Sequence, residues 1–109
     1  MFEKFEYDVM LAISEELPAC KDILMEQYAR SMKKREFTGH GFYTHFEQVG
    51  DRLPVDAAFA KVLGSPSAIL NQACTVGFAL FISDRKISCL EGYTFGEDWP
   101  DTIETYSMI

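Results

Sequence analysis

The chain has 109 residues, room for one domain, and its 48% hydrophobic and 14% aromatic content is far from the profile of disorder. A formal net charge of −7 and a pI of about 4.7 argue against binding nucleic acid or an anionic membrane surface, because both repel an acidic chain. Acidity instead favours a basic protein partner, or serves solubility alone.

The three cysteines, Cys20, Cys74 and Cys89, are odd in number and form no CxxC. That argues against a disulfide framework and a zinc site, and favours small buried hydrophobes. The N-terminus shows no basic region followed by an apolar run, and no apolar stretch approaches the ~20 residues that span a bilayer. The expected location is the cytoplasm.

In chain order, Phe2, Phe5, Val9, Met10, Ile13 and Leu17 recur at helical spacing and predict a helix from about Phe2 to Glu16. Leu17-Pro18 interrupts it, and Pro18 suits the first turn of a second helix. Cys20, Leu24, Tyr28 and Met32 give that helix its buried stripe. Lys33, Lys34 and Arg35 then fall in its last turn, where cations meet the negative end of the helix dipole.

Phe37 to Gln48 reads as a strand, with Phe42, Thr44 and Phe46 on one face and Tyr43 and His45 on the other. Gly39 and Gly41 bracket His40 and suggest a bulge or a close backbone approach. Gly50, Asp51 and Pro54 mark a loop. Ala57 to Leu63 fits either a helical turn or a strand lead-in. Gly64, Ser65 and Pro66 are turn residues, and Ser67 to Ala73 is a strand candidate.

Thr75 to Ser83 and Lys86 to Phe95 form the clearest hairpin, joined by Asp84 and Arg85. A two-residue loop pairs Ile82 with Ile87, Leu80 with Cys89, Phe78 with Glu91 and Val76 with Tyr93. Arg85 stands where glycine is cheapest, so a three-residue loop with a shifted register is the alternative. In the first register Glu91 faces the apolar side, opposite Phe78, while Ala79, Phe81 and Leu90 share the other side.

The fold class that follows is a single α+β domain spanning 1–109: two N-terminal helices packed on an antiparallel sheet of about four strands. The segment from Glu91 onward carries Glu91, Glu97, Asp98, Asp101 and Glu104 with no Lys or Arg. It forms the negative pole.

His40 and His45 are five residues apart on one strand and point to opposite faces, so they do not converge on a metal. No HExxH, EF-hand, P-loop or GxGxxG pattern occurs. The expectation is therefore no metal, no cofactor and no catalytic residue. Trp99, the only tryptophan, stands among Glu97, Asp98 and Asp101. It reads either as an interface anchor or as a cover folded back on the sheet.

Residues 77–84, GFALFISD, followed by Leu90-Glu91-Gly92-Tyr93-Thr94-Phe95 and Trp99-Pro100, resemble the hairpin signature of small bacterial immunity proteins. Members of that group neutralise polymorphic or contact-dependent toxins. Thr38 to Thr44 is similar to the first strand of that pattern, and Arg85 departs from it where a turn glycine would sit.

The resemblance implies a protein that binds and blocks a cognate toxin domain, such as a basic nuclease, by occlusion with an acidic surface. Among the matched residues Gly77, Leu90, Gly92 and Pro100 look structural, and Glu91 and Trp99 are the contact candidates. The expected partner-binding set is Glu91, Glu97, Asp98, Trp99, Asp101 and Glu104. Two other readings stand beside it: a small-molecule pocket lined by Phe42, Tyr43, Phe78 and Tyr93, and a homodimer through an apolar second sheet face.

Overall fold

The computed structural model describes residues 2–109. Helices α1 (Phe2–Ser14) and α2 (Lys21–Arg30) are joined by a 3-10 turn at Pro18–Cys20. Seven strands follow: β1 (Met32–Phe37), β2 (Gly41–Glu47), β3 (Val62–Leu63), β4 (Ser67–Leu70), β5 (Cys74–Ser83), β6 (Lys86–Thr94) and β7 (Tyr106–Met108). They make one sheet in the order β1-β2-β6-β5-β4-β7, with β3 paired to β5 off that path, and every pairing is antiparallel.

The α+β class, the two helices and the antiparallel sheet agree with the sequence reading. The sheet has seven strands rather than about four. The extra three are β1, the two-residue β3 and the three-residue β7, each too short or too polar to carry its own apolar pattern.

The core lies between the helices and one face of the sheet. Phe5, Val9, Met10 and Ile13 of α1 and Leu24 and Tyr28 of α2 are buried with Phe42, Phe46, Val76, Phe78, Leu80, Ile82, Ile87 and Leu90. Ring contacts carry this packing, with Phe5 against Phe78 at 5.8 Å and Tyr28 edge-on to Phe46 at 5.9 Å.

Helix α2 stops two residues before Met32, because Ser31 turns to extended geometry while its amide still bonds Gln27 and Tyr28 carbonyls. Lys33, Lys34 and Arg35 therefore lie in β1, not in the last turn of the helix. Only Lys33 still serves the helix end: its ammonium donates to the Tyr28 carbonyl at 2.7 Å and sits 4.4 Å from the Tyr28 ring centre. Lysines and arginine suit an edge strand, where charge discourages pairing with another chain.

The β5–β6 turn has two residues, and both are left-handed: Asp84 at φ 54° and Arg85 at φ 60°. Ile82 pairs with Ile87 as expected. Beyond it, an irregularity between Phe81 and Ile82 lets Ser88 pass unpaired, and the register shifts by one. Leu80 then pairs with Leu90, Ala79 with Glu91 and Gly77 with Tyr93. The pairings of Leu80 with Cys89, Phe78 with Glu91 and Val76 with Tyr93 are thereby overturned. Leu90 belongs to the core, while Cys89, Glu91 and Tyr93 turn to the opposite face.

A left-handed arginine costs about 1 kcal/mol relative to glycine. Arg85 recovers part of this through a bond from its Nη1 to the Leu53 carbonyl at 3.2 Å. Glycine would relieve the strain, lose that bond and loosen the unfolded chain. Arg85→Gly is expected to move the unfolding free energy by less than about 1 kcal/mol in urea titration.

Two buried or bridging amides hold the loops. Gln27, nearly fully buried, donates to the carbonyls of Asp51 (2.8 Å) and Arg85 (3.2 Å) and accepts from the Ile87 amide (3.0 Å). It pins α2 to the turn of the β5–β6 hairpin. Asn71 donates to the Thr102 carbonyl and accepts from the Glu104 and Thr105 amides. That side chain fixes the path of the tail into β7.

Candidate functional site

The acidic tail leaves β6 at Thr94 and runs past the β1–β2 turn. The Trp99 amide donates to the Gly39 carbonyl at 2.8 Å, and the Thr94 amide donates to the His40 carbonyl at 3.1 Å. The Glu97 carbonyl accepts from the Thr94 hydroxyl, which tightens the bend. Gly39 sits at φ +88°, a conformation that L side chains rarely adopt.

These bonds bring Glu97, Asp98 and Asp101 out into solvent at one end of the sheet. Among the described residues, no cation lies within ion-pair distance of Glu97, Asp101 or Glu104; Asp98 has only His40 Nδ1 at 3.7 Å. Glu104 stands apart from the other three, beside the Asn71 side chain.

Trp99 turns inward. Its ring packs edge-on against Phe42 at 5.4 Å and Phe5 at 6.3 Å, covering the open end of the core. It is half-buried, and its remaining surface lines a groove of about 380 Å³ with Phe2, Phe37, Gly39, Gly41, Pro100, Asp101, Thr102 and Ile103. Of the two sequence readings, the cover is what the packing shows; the groove leaves one side of the same residue accessible.

Glu91 is separated from this end. It lies on the sheet face away from the helices, beside Tyr43 on β2 and Ala79 on β5. The Glu91 carboxylate raises the pKa of Tyr43 beside it above its ordinary value. The six expected partner residues thus divide three ways: Glu97, Asp98, Trp99 and Asp101 at the sheet end, Glu104 at the β4–β5 turn, and Glu91 on the outer face.

The outer face also carries the two groups with most chemical potential. His45 stands directly opposite Cys89 in the ladder, and its Nε2 is 3.3 Å from Glu36. Burial, then the nearby Glu91 and Glu36, push the Cys89 thiol up from its ordinary pKa. A nucleophilic cysteine needs the opposite shift, so this row does not activate a thiolate. His40 lies in the β1–β2 turn and does not converge with His45. Among the described residues, no group of three His, Cys, Asp or Glu could hold a metal ion.

The suggested small-molecule lining does not assemble. Phe42 and Phe78 are buried in the core, whereas Tyr43 and Tyr93 point to the outer face. The Tyr93 ring lies over Gly77, where a Cβ would come within 2.8 Å of it, and Phe42 fills the space beside Gly92. Gly77 and Gly92 of the hairpin pattern are therefore places where an aromatic ring covers bare backbone.

The sequence reading missed a buried ionic cluster. Glu6 is fully buried; it accepts Arg35 Nη2 (2.7 Å) and Nε (3.1 Å), the Tyr28 hydroxyl (2.7 Å) and the Thr44 hydroxyl (2.5 Å). Burial alone would raise its pKa, but the bonds from Arg35, Thr44 and Tyr28 outweigh it and hold the carboxyl below its ordinary value. The signal was present: Glu6 follows Phe2 by four residues and precedes Val9 by three, which places it on the buried stripe of α1.

No protein-family model, curated protein or solved structure matches this chain. Among the described residues no helix is long and apolar enough to cross a membrane.

Proposed function

We propose that this domain is an immunity-type inhibitor that binds a basic cognate toxin domain and occludes it with its acidic sheet end. One observation carries the reading: Glu97, Asp98 and Asp101 stand exposed on a hydrogen-bonded tail, with no basic residue neutralising Glu97 or Asp101 among the described residues. Carboxylates left uncompensated raise the negative potential there, which speeds and orients encounter with a basic surface. The hairpin resemblance supports the role, and the geometry supports the surface. Glu104 and Glu91 add charge from neighbouring surfaces rather than from the same patch.

The test is calorimetry between this protein and the C-terminal domain of the protein encoded just upstream, at two salt concentrations. Tight binding that weakens with salt is expected. Reversing Glu97, Asp98 and Asp101 together to lysine is expected to weaken it on the order of 100-fold, mainly through slower association. Tight binding that ignores salt would move the interface to the outer sheet face around Phe81, Tyr93 and Glu91. Absence of binding would remove the proposed pairing.

A further inference from the structure

The groove beside the acidic tail has features that general charge attraction does not require. Its walls are aromatic: Phe2, Phe37 and Trp99 line it, and Phe37 is 58% exposed although it is a large apolar side chain. Phe2 and Phe37 meet edge-on at 5.2 Å, and Phe2 and Trp99 both pack against the buried Phe42. Among the described residues, its one charged lining residue is Asp101, which has no ion-pair partner there. Among the described residues, Arg35 lies 5.4 Å from the Phe2 ring centre but already spends two N–H donors on Glu6. Among the described residues the groove is thus open, aromatic and negative, with no cation in its lining.

We propose that this groove receives one arginine side chain of the protein partner, its guanidinium against the aromatic wall and Asp101 as counter-charge. The inference rests on the reading that the acidic end binds a basic protein, and it names what enters. Arginine fits better than lysine for three reasons. The guanidinium is planar and stacks on aromatic faces, it is weakly hydrated and so leaves water readily, and its forked donors suit a carboxylate. A lysine ammonium is a compact, strongly hydrated point charge and gains less from an aromatic wall. An apolar side chain would leave Asp101 beside it without a partner.

Because Trp99 is the only tryptophan and lines the groove, its fluorescence reports occupancy without any toxin. The experiment titrates the intact protein with arginine amide, lysine amide and citrulline amide, the last being the uncharged isostere. Saturable change with arginine amide is expected, weaker change with lysine amide and none with citrulline amide. Asp101→Asn is expected to weaken the arginine response about tenfold or more, while Glu47→Gln, exposed at the end of β2 away from the groove, leaves it unchanged. Asp101 is exposed and its side chain has no hydrogen-bond or ion-pair partner among the described residues, and circular dichroism will check that the variant is folded. Equal responses to arginine and citrulline amides, equal responses to arginine and lysine amides, or indifference to Asp101→Asn would each overturn the proposal. Calorimetry with the toxin domain separates the two readings: salt-sensitive toxin binding with no arginine response sinks the groove alone, whereas an arginine response without toxin binding sinks the immunity role alone.

Discussion

Glu6→Gln lowers the unfolding free energy by roughly 2–4 kcal/mol at neutral pH, read from urea denaturation. The substitution keeps the shape of the side chain and an acceptor for the Tyr28 hydroxyl. It removes the charge that faces Arg35. Breaking a fully buried pair in this way costs about 3–5 kcal/mol; Arg35 is 27% exposed here, so water takes up part of its charge and the effect is smaller. For a domain of this size the loss corresponds to a melting temperature lower by on the order of 10 °C or more. Pairing the change with Arg35→Met should cost less than the sum of the two single changes, because the second removes the orphaned charge.

The same residue sets a pH dependence. Its folded pKa is depressed below the ordinary 4.5. Its contribution is therefore fully present above the unfolded value and is lost as pH falls through the lower, folded value. The gap in stability between the native protein and Glu6→Gln should be constant near neutrality and close progressively in acid below about pH 4.5. Asp8 and Asp84, whose pKa values are also lowered by hydrogen bonds from Tyr106 and Arg52 respectively, act in the same direction and are common to both proteins.

Gly41→Ala is expected to destabilise by about 3 kcal/mol or more, with loss of the upper rungs of the β2–β6 ladder. A Cβ at this position would stand 1.9 Å from the Gly92 carbonyl oxygen and 3.1 Å from the Tyr93 Cα. Both are backbone atoms in a paired strand, so neither can rotate away. Gly39→Ala makes the contrast: nothing lies within 4 Å of its Cβ, and only the positive φ is strained. That change should cost about 1 kcal/mol. Amide exchange at Tyr93 and Thr94 would distinguish the two, rising in Gly41→Ala and barely moving in Gly39→Ala.

The close approach at Gly41 was one of two readings that the glycines around His40 allowed, a bulge being the other. The helices were legible in the sequence, because their apolar residues repeat at helical spacing, and so was the inward face of Phe42, Thr44 and Phe46. Strand β1 was not. Its residues Lys33, Lys34 and Arg35 carry no apolar alternation, and pairing with β2 imposes extended structure on them after Ser31 ends the helix. The placement of Glu91 failed for a different reason. A single unpaired residue, Ser88, reverses every later side chain of β6, and nothing in local composition marks it. At the candidate site, the acidic run itself was plain to read. Its division among three surfaces, and the inward turn of Trp99, depend on long-range bonds to Gly39 and Asn71 that spacing along the chain does not reveal.

Those bonds bear on how the tail would meet a partner. Residues 95–105 contain no helix or strand, yet Trp99 is tied to Gly39, Asn71 holds residues 102, 104 and 105, and β7 clamps the far end against β4. The conformational freedom of this segment is therefore surrendered when the domain folds, not when it docks. Docking should resemble two rigid bodies meeting, with a heat-capacity change set by the contact area alone and no added contribution from a segment ordering on arrival.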